Sequence, residues 1–142
     1  MFSREESKKI RQEFWTSFGK RNDRKWMLYD TKMKEINLKF HFDTKIASLG
    51  FVIDTEDEDF KTYYFEKFES LKTVLAEEIS AHLIFDSNYE TESGKKVAYI
   101  YLLKENVSIH KKESWEEVAI FFENFMPKME MAFLEYKDFI EN

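Results

Sequence analysis

Ile36-Asn37-Leu38-Lys39-Phe40-His41-Phe42, Asp43-Thr44-Lys45 and Ile46-Ala47-Ser48-Leu49-Gly50-Phe51-Val52-Ile53 run on without a break, and their reading decides the fold. In the first segment Ile36, Leu38, Phe40 and Phe42 alternate with Asn37, Lys39 and His41. In the last, Ala47, Leu49, Phe51 and Ile53 alternate again. Successive side chains of a strand point to opposite faces, so each segment is a strand with one apolar face. The polar Asp43-Thr44-Lys45 between them makes the pair an antiparallel hairpin. Its apolar face needs a helix or a second sheet against it.

Upstream, Ser3-Arg4-Glu5-Glu6 has the spacing of a capping box, in which the Ser hydroxyl and the Glu carboxylate satisfy orphan amides at a helix start. Ile10, Phe14, Trp15 and Phe18 follow at helical spacing, with Gly19 as a terminator. Lys20 to Lys25 is a polar, basic connector, and Trp26 to Tyr29 is a short apolar strand candidate. Downstream, the acids Asp54, Glu56, Asp57, Glu58 and Asp59 suit the positive end of a helix whose stripe is Phe60, Tyr63, Tyr64, Phe68, Leu71, Val74, Leu75 and Ile79. Leu83-Ile84-Phe85 begins a strand, and Asn88 to Lys96 is polar with Gly94 as turn residue. Val97, Tyr99, Tyr101 and Leu103 alternate with the equally apolar Ala98, Ile100 and Leu102, the pattern of a central strand covered on both faces. Val107 to Ile109 is a further short strand candidate. Ser114-Trp115-Glu116-Glu117 has a second capping-box spacing, and the last helix carries Val118, Phe122, Phe125, Met126, Met129, Phe133, Tyr136 and Ile140. Pro127 within it predicts a kink or a break. The expected architecture is a single α+β domain over residues 1–142, in the order α-β-β-β-α-β-β-α: an antiparallel meander of five or six strands with three helices on one face.

Fifteen Phe, seven Tyr and three Trp give this chain far more aromatic surface than its length requires, so most of these rings belong to the core. The formal net charge is −6, which argues against a nucleic-acid surface over most of the molecule. Cysteine is absent, excluding disulfides and thiolate zinc sites and suiting a reducing cytoplasm. The charged residues 1–25 lack a signal-peptide pattern, and no apolar run approaches the ~20 residues of a membrane span.

Motifs for chemistry are scarce. His41, His82 and His110 match no helical zinc spacing, and the polar register of His41 marks it as a solvent-facing strand residue. The acidic run lacks the glycine of a calcium loop. No GxSxG, GxxxxGK[ST] or GxGxxG is present, so no cofactor, metal or nucleotide is expected. Arg21, Arg24 and Lys25 beside Trp26 are binding candidates, since cations next to an aromatic can hold a phosphate and stack a base, although such a run is more simply a solvated loop. One wider pattern stands out. The order α-β-β-β-α-β resembles the core of the restriction-endonuclease-like superfamily, which would place Glu13, Asp43 and Glu56 as magnesium ligands. Position 56 is Glu where that superfamily's triplet carries Lys, so the motif is absent or degenerate.

A second resemblance covers almost the whole chain. It rests on Phe2-Ser3-Arg4-Glu5-Glu6, Glu13-Phe14-Trp15-Thr16-Ser17-Phe18-Gly19, Trp26 with Leu28-Tyr29, and the helix from Tyr63 to Lys72. Gly94-Lys95, Asn106-Val107-Ser108-Ile109, and Trp115 with Phe122 and Phe125 complete it. In these positions the chain resembles a small bacterial family of unknown function, whose members occur alone or as C-terminal modules beside nuclease-like domains. The resemblance implies a stand-alone accessory module and assigns no residue a role. Together the readings give a non-catalytic, cytoplasmic interaction module, with a protein partner or a second copy of itself as the partner class. The alternative is a divergent or inactive metal-dependent nuclease. Trp26, Phe65, Tyr89, Phe121 and Leu134 lie off the main apolar stripes and are the interface candidates.

Overall fold

The two alternating runs form β1 (Ile36–Phe42) and β2 (Ile46–Ile53), paired antiparallel in a register from Ile36 opposite Ile53 to Phe42 opposite Ala47. Asp43 sets the turn between them. Its Oδ1 accepts the backbone N–H groups of Lys45 and Ile46, both at 2.8 Å. These elements come from a computed structural model that describes residues 2–142. Before the hairpin lies α1 (Arg4–Arg21), and after it come α2 (Glu58–Ser70), α3 (Lys72–Glu78), β3 (Ile84–Glu90), β4 (Lys96–Glu105) and α4 (Trp115–Glu141). A 3₁₀ turn at Lys112–Ser114 leads into α4.

The fold is α+β, as expected, but the element count is corrected. Among the described residues there are four strands, not five or six, and four α-helices, not three. Trp26 to Tyr29 is not a strand. Leu28 takes a left-handed φ of 43°, Asp30 N–H closes a turn onto the Met27 carbonyl at 2.8 Å, and the Trp26 ring packs inward against Phe18 and Phe40. Val107 to Ile109 joins no ladder. Asn106 at φ 62° turns the chain away after β4, and Ile109 N–H bonds the Asp43 carbonyl alone. The extra helix arises at Leu71, where Leu71 N–H bonds the Phe68 carbonyl in a tighter turn and divides the expected second helix into α2 and α3.

Sheet order is β1-β2-β4-β3, all antiparallel, so two hairpins meet through β2 and β4 and the sheet is not a simple meander. The capping box at Ser3 is present in both directions, and Asp57 caps α2 by accepting from Asp59 and Phe60 N–H. Ser114 forms no such box. Its buried hydroxyl donates to the Ser108 carbonyl at 2.8 Å instead. Pro127 neither breaks α4 nor divides it, because Phe122, Met126, Met129 and Phe133 seat both halves in the same core.

The helices cover one face of the sheet. Phe14, Trp15, Phe18, Trp26, Phe40 and Phe122 form a continuous ring cluster there, with neighbouring centroids from 4.7 Å (Phe40–Phe122) upward. Each such pair adds roughly 0.5–1.5 kcal/mol beyond its buried area. No buried side-chain polar atom among the described residues lacks a hydrogen-bond partner.

Candidate functional site

The period-2 alternation that sends Leu38, Leu49 and Ile100 into the core sends the intervening residues to the other face, which no helix covers. Asn37, Lys39 and His41 stand on β1, and Ser48 and Val52 on β2. Val97, Tyr99 and Tyr101 of β4 and Tyr89 of β3 complete the face, where Val52, Val97, Tyr99 and Tyr101 form a second apolar cluster closed by Tyr89. Tyr99 and Tyr101 stack at 4.3 Å between centroids, and Tyr89 leans on both at 4.9 and 5.4 Å. Gly50, opposite Tyr101, admits this packing. A Cβ there would lie 2.6 Å from the Tyr101 Cβ and 2.2 Å from the Ile100 carbonyl oxygen.

The tip of the β3–β4 hairpin folds back over this face. A register shift between Asp86 and Tyr89 bends β3, as an extra residue in one strand does. Gly94, at φ +86°, supplies the left-handed turn residue, and Thr91 N–H bonds the Lys95 carbonyl at 2.8 Å. One ion pair ties the tip down, Lys95 Nζ to Asp54 Oδ1 at 2.7 Å, and Glu92 Oε1 approaches His41 Nε2 to 3.6 Å. What remains between tip and sheet is a cleft of about 490 Å³ with Val52, Val97, Tyr89 and Tyr99 as apolar lining and Lys39, His41, Asp43 and Glu92 among its polar groups. That volume lies in the range of small-ligand sites, roughly 300–1,000 Å³.

The electrostatics of the cleft are fixed by burial and pairing. Tyr99 is buried, and desolvation pushes its phenol far above the ordinary tyrosine value, with the bond to Ser48 Oγ at 3.0 Å opposing. Burial also raises Tyr89 and Tyr101, helped by nearby carboxylates. The tyrosines therefore act as neutral hydrogen-bonding groups. At Asp43 burial works upward, but hydrogen bonds from His41, Ile46 and Lys45 outweigh it and hold the carboxyl below its usual value. His41 Nε2 bonds Asp43 Oδ2 at 2.8 Å, and ligand-capable atoms of His41, Asp43 and Glu92 all lie within 4.8 Å of one another. Ser48 is fully buried and its hydroxyl is engaged by Tyr99.

Of the residues singled out in the sequence, Asp43 alone of Glu13, Asp43 and Glu56 joins this group. Glu13 is exposed on α1, paired with Lys112 at 2.5 Å, and Glu56 is exposed between β2 and α2. The structure does not bring the three together. Much of the basic connector is engaged with α4. Arg21 pairs with Glu116 at 2.5 Å and Glu123 at 2.6 Å, while Arg24 pairs with Glu130 at 2.7 Å and lies 4.0 Å over the Trp26 ring. Lys25 is exposed. Phe65 is buried, Tyr89 is part of the tyrosine cluster, and Phe121 is half-buried against Phe122 and Phe125. Leu134 stands out at 63% exposed, on an outer stripe of α4 with Met131 and Ile120. His41 does face away from the core, as its register predicts, yet its side chain is only 18% exposed, because the hairpin tip covers it. Glu92 was not singled out by sequence reasoning. The signal for the tyrosine face was present in the spacing of Tyr99 and Tyr101 opposite the Ala98, Ile100 and Leu102 register.

Residues 10–137 match the model of a family described as Domain of unknown function (DUF4268), and the chain belongs to that family. No curated protein and no solved structure matches it.

Proposed function

We propose that this DUF4268 protein is a non-catalytic binding module of the bacterial cytoplasm, and that the cleft beneath the β3–β4 tip is where it holds its ligand. The observation that carries the reading is the tip itself, tied to Asp54 through Lys95 and brought to 3.6 Å from His41 through Glu92, over a tyrosine-lined face, to leave a half-open, ligand-sized space. Its lining sets Val52, Val97, Tyr89 and Tyr99 among a larger number of polar and charged groups, which suits a polar ligand with a small apolar body. It suits a small polar molecule, or one side chain of a protein partner, with an aromatic or aliphatic body to lie against Tyr89 and Val97. No helix among the described residues is long and apolar enough to cross a membrane.

The test is a two-dimensional amide NMR titration of the full chain against a library of small polar aromatic compounds. Shifts should concentrate at His41, Ser48, Tyr89, Glu92 and Lys95 and vanish in Tyr89→Ala. Shifts confined to the outer stripe of α4 would move the working surface there. Incubation with magnesium and plasmid DNA should give no cleavage, and cleavage abolished by Asp43→Asn would restore the nuclease reading.

A further inference from the structure

We infer that His41, Asp43 and Glu92 form a binding site for a divalent transition-metal ion at the lip of the cleft. The inference rests on the cleft being the working site and names what holds its ligand.

The donor set is one imidazole nitrogen and two carboxylates. Nitrogen with carboxylate oxygen suits zinc, cobalt or manganese, whereas magnesium and calcium prefer all-oxygen shells. The spacing fits as well. Ligand atoms ~2.0–2.1 Å from a tetrahedral ion are about 3.3 Å apart. Glu92 Oε1 lies 3.6 Å from His41 Nε2, Asp43 Oδ2 hydrogen-bonds the same nitrogen at 2.8 Å, and all three ligand atoms lie within 4.8 Å of one another, so an ion would replace that hydrogen bond and draw the three side chains to its own spacing. Asp43 is preorganised for this role: its Oδ1 is occupied by the Lys45 and Ile46 amides, which leaves Oδ2 aimed at His41. His41 is fixed on a paired strand opposite Ser48. Glu92 comes from the other hairpin, so an ion would join β1 to the β3–β4 tip, which the sheet itself links only through β2 and β4. Charge also favours it. Among the neighbouring acids, Asp54 is paired with Lys95 and Glu90 with Lys96, while Asp43 and Glu92 share the single His41, with Lys39 the nearby cation of the same strand face.

Three protein ligands leave a tetrahedral ion one open position. All three line the cleft, so a ligand held there would be within reach of that position. The ligand is then expected to carry a carboxylate or another anionic oxygen for the metal and an apolar body for the tyrosines.

Metal-free full-length protein dialysed against zinc should take up one ion per chain, and cobalt should give visible ligand-field bands. Glu92→Gln and His41→Gln should each weaken zinc binding by roughly tenfold or more. Glu90→Gln should leave it unchanged, and millimolar magnesium should not compete. Glu92 is exposed at the tip, so its variant keeps the fold, which far-UV circular dichroism checks. Failure to bind zinc or cobalt, or binding unchanged in both Gln variants, overturns the inference. Repeating the compound titration in chelator separates the two readings. Cleft shifts without metal uptake leave the binding module standing and remove the ion. Metal uptake with no compound bound retains the ion and removes the small-ligand reading.

Discussion

Substituting Gly50 by Ala adds a single methyl group where β2 lies against the Ile100 and Tyr101 backbone of β4. Its Cβ would sit 2.2 Å from the Ile100 carbonyl oxygen, 2.6 Å from the Tyr101 Cβ and 2.7 Å from the Tyr101 Cα. Two of these atoms are backbone and the third is attached directly to it, so no rotamer change relieves the overlap. The strands must part. Overpacking of this kind costs ~1–3 kcal/mol, and each weakened ladder hydrogen bond adds about 1 kcal/mol. The expected loss is therefore about 3 kcal/mol, or roughly 10 °C in melting temperature for a chain of this size. Gly19 provides the matched control. It lies within α1 and a Cβ there meets nothing within 4 Å, so Gly19→Ala should stabilise by ~0.5–1 kcal/mol. Urea unfolding followed by far-UV circular dichroism measures both, and the near-UV tyrosine bands should weaken in Gly50→Ala alone as Tyr101 leaves its stack with Tyr99. A Gly50→Ala protein within about 0.5 kcal/mol of the parent would refute the claim that the close approach of β2 and β4 at Gly50 has no room for a side chain.

Glu130 is buried and accepts from Arg24 Nη2 and from Met27 N–H, both at 2.7 Å. Glu130→Ala should cost about 2 kcal/mol, since it strands a backbone donor and a partly exposed guanidinium, and Glu130→Gln about half as much; equal urea midpoints for the two would argue against the backbone bond. Stability should also fall in alkali. Tyr99 titrates above the ordinary value when folded, so from about pH 10 upward the unfolded chain loses its proton first, and the stability due to the neutral phenol drains away as pH rises toward the folded value. Tyr99→Phe should flatten that decline, though not abolish it because Tyr89 and Tyr101 are raised too, and should cost about 1 kcal/mol at neutral pH by depriving Ser48 of its partner. Urea midpoints of both proteins between pH 8 and pH 11 test this, and parallel curves would count against it.

What could be read from the sequence is what neighbouring residues decide among themselves. The alternation through Ile36–Phe42 and Ile46–Ile53, the turn at Asp43, the box at Ser3 and the acids opening α2 are all local patterns, and each has its expected counterpart in the structure. The failures are of two kinds. Leu71 belongs to the same apolar stripe as Phe68 and Leu75, so periodicity carries no mark of the tight turn that splits the helix there. Trp26 to Tyr29 has the composition of a strand, but a turn at Leu28 and the pull of Phe18 and Phe40 on the Trp26 ring decide otherwise. The site was less legible than the fold. Its charges come from separate hairpins, and only the bend in β3 and the turn at Gly94 bring Glu92 to His41. The same holds for the basic connector, whose arginines are visible in the sequence while their partners Glu116, Glu123 and Glu130 lie on a distant helix.

The order β1-β2-β4-β3 leaves the outer sides of β1 and β3 as rims where a foreign strand could add itself, the usual route to edge-to-edge aggregation. Each rim is blunted differently. Along β1, the outward N–H groups of Ile36 and Leu38 are already taken by the Met33 and Leu28 carbonyls. Along β3, the shift after Asp86 interrupts the ladder, and Asp86, Asn88 and Glu90 make the rim polar and negatively charged. Both rims are thus poor templates for a foreign strand, and the exposed apolar side chains Ile120, Met131 and Leu134 lie away from them, on the outer surface of α4.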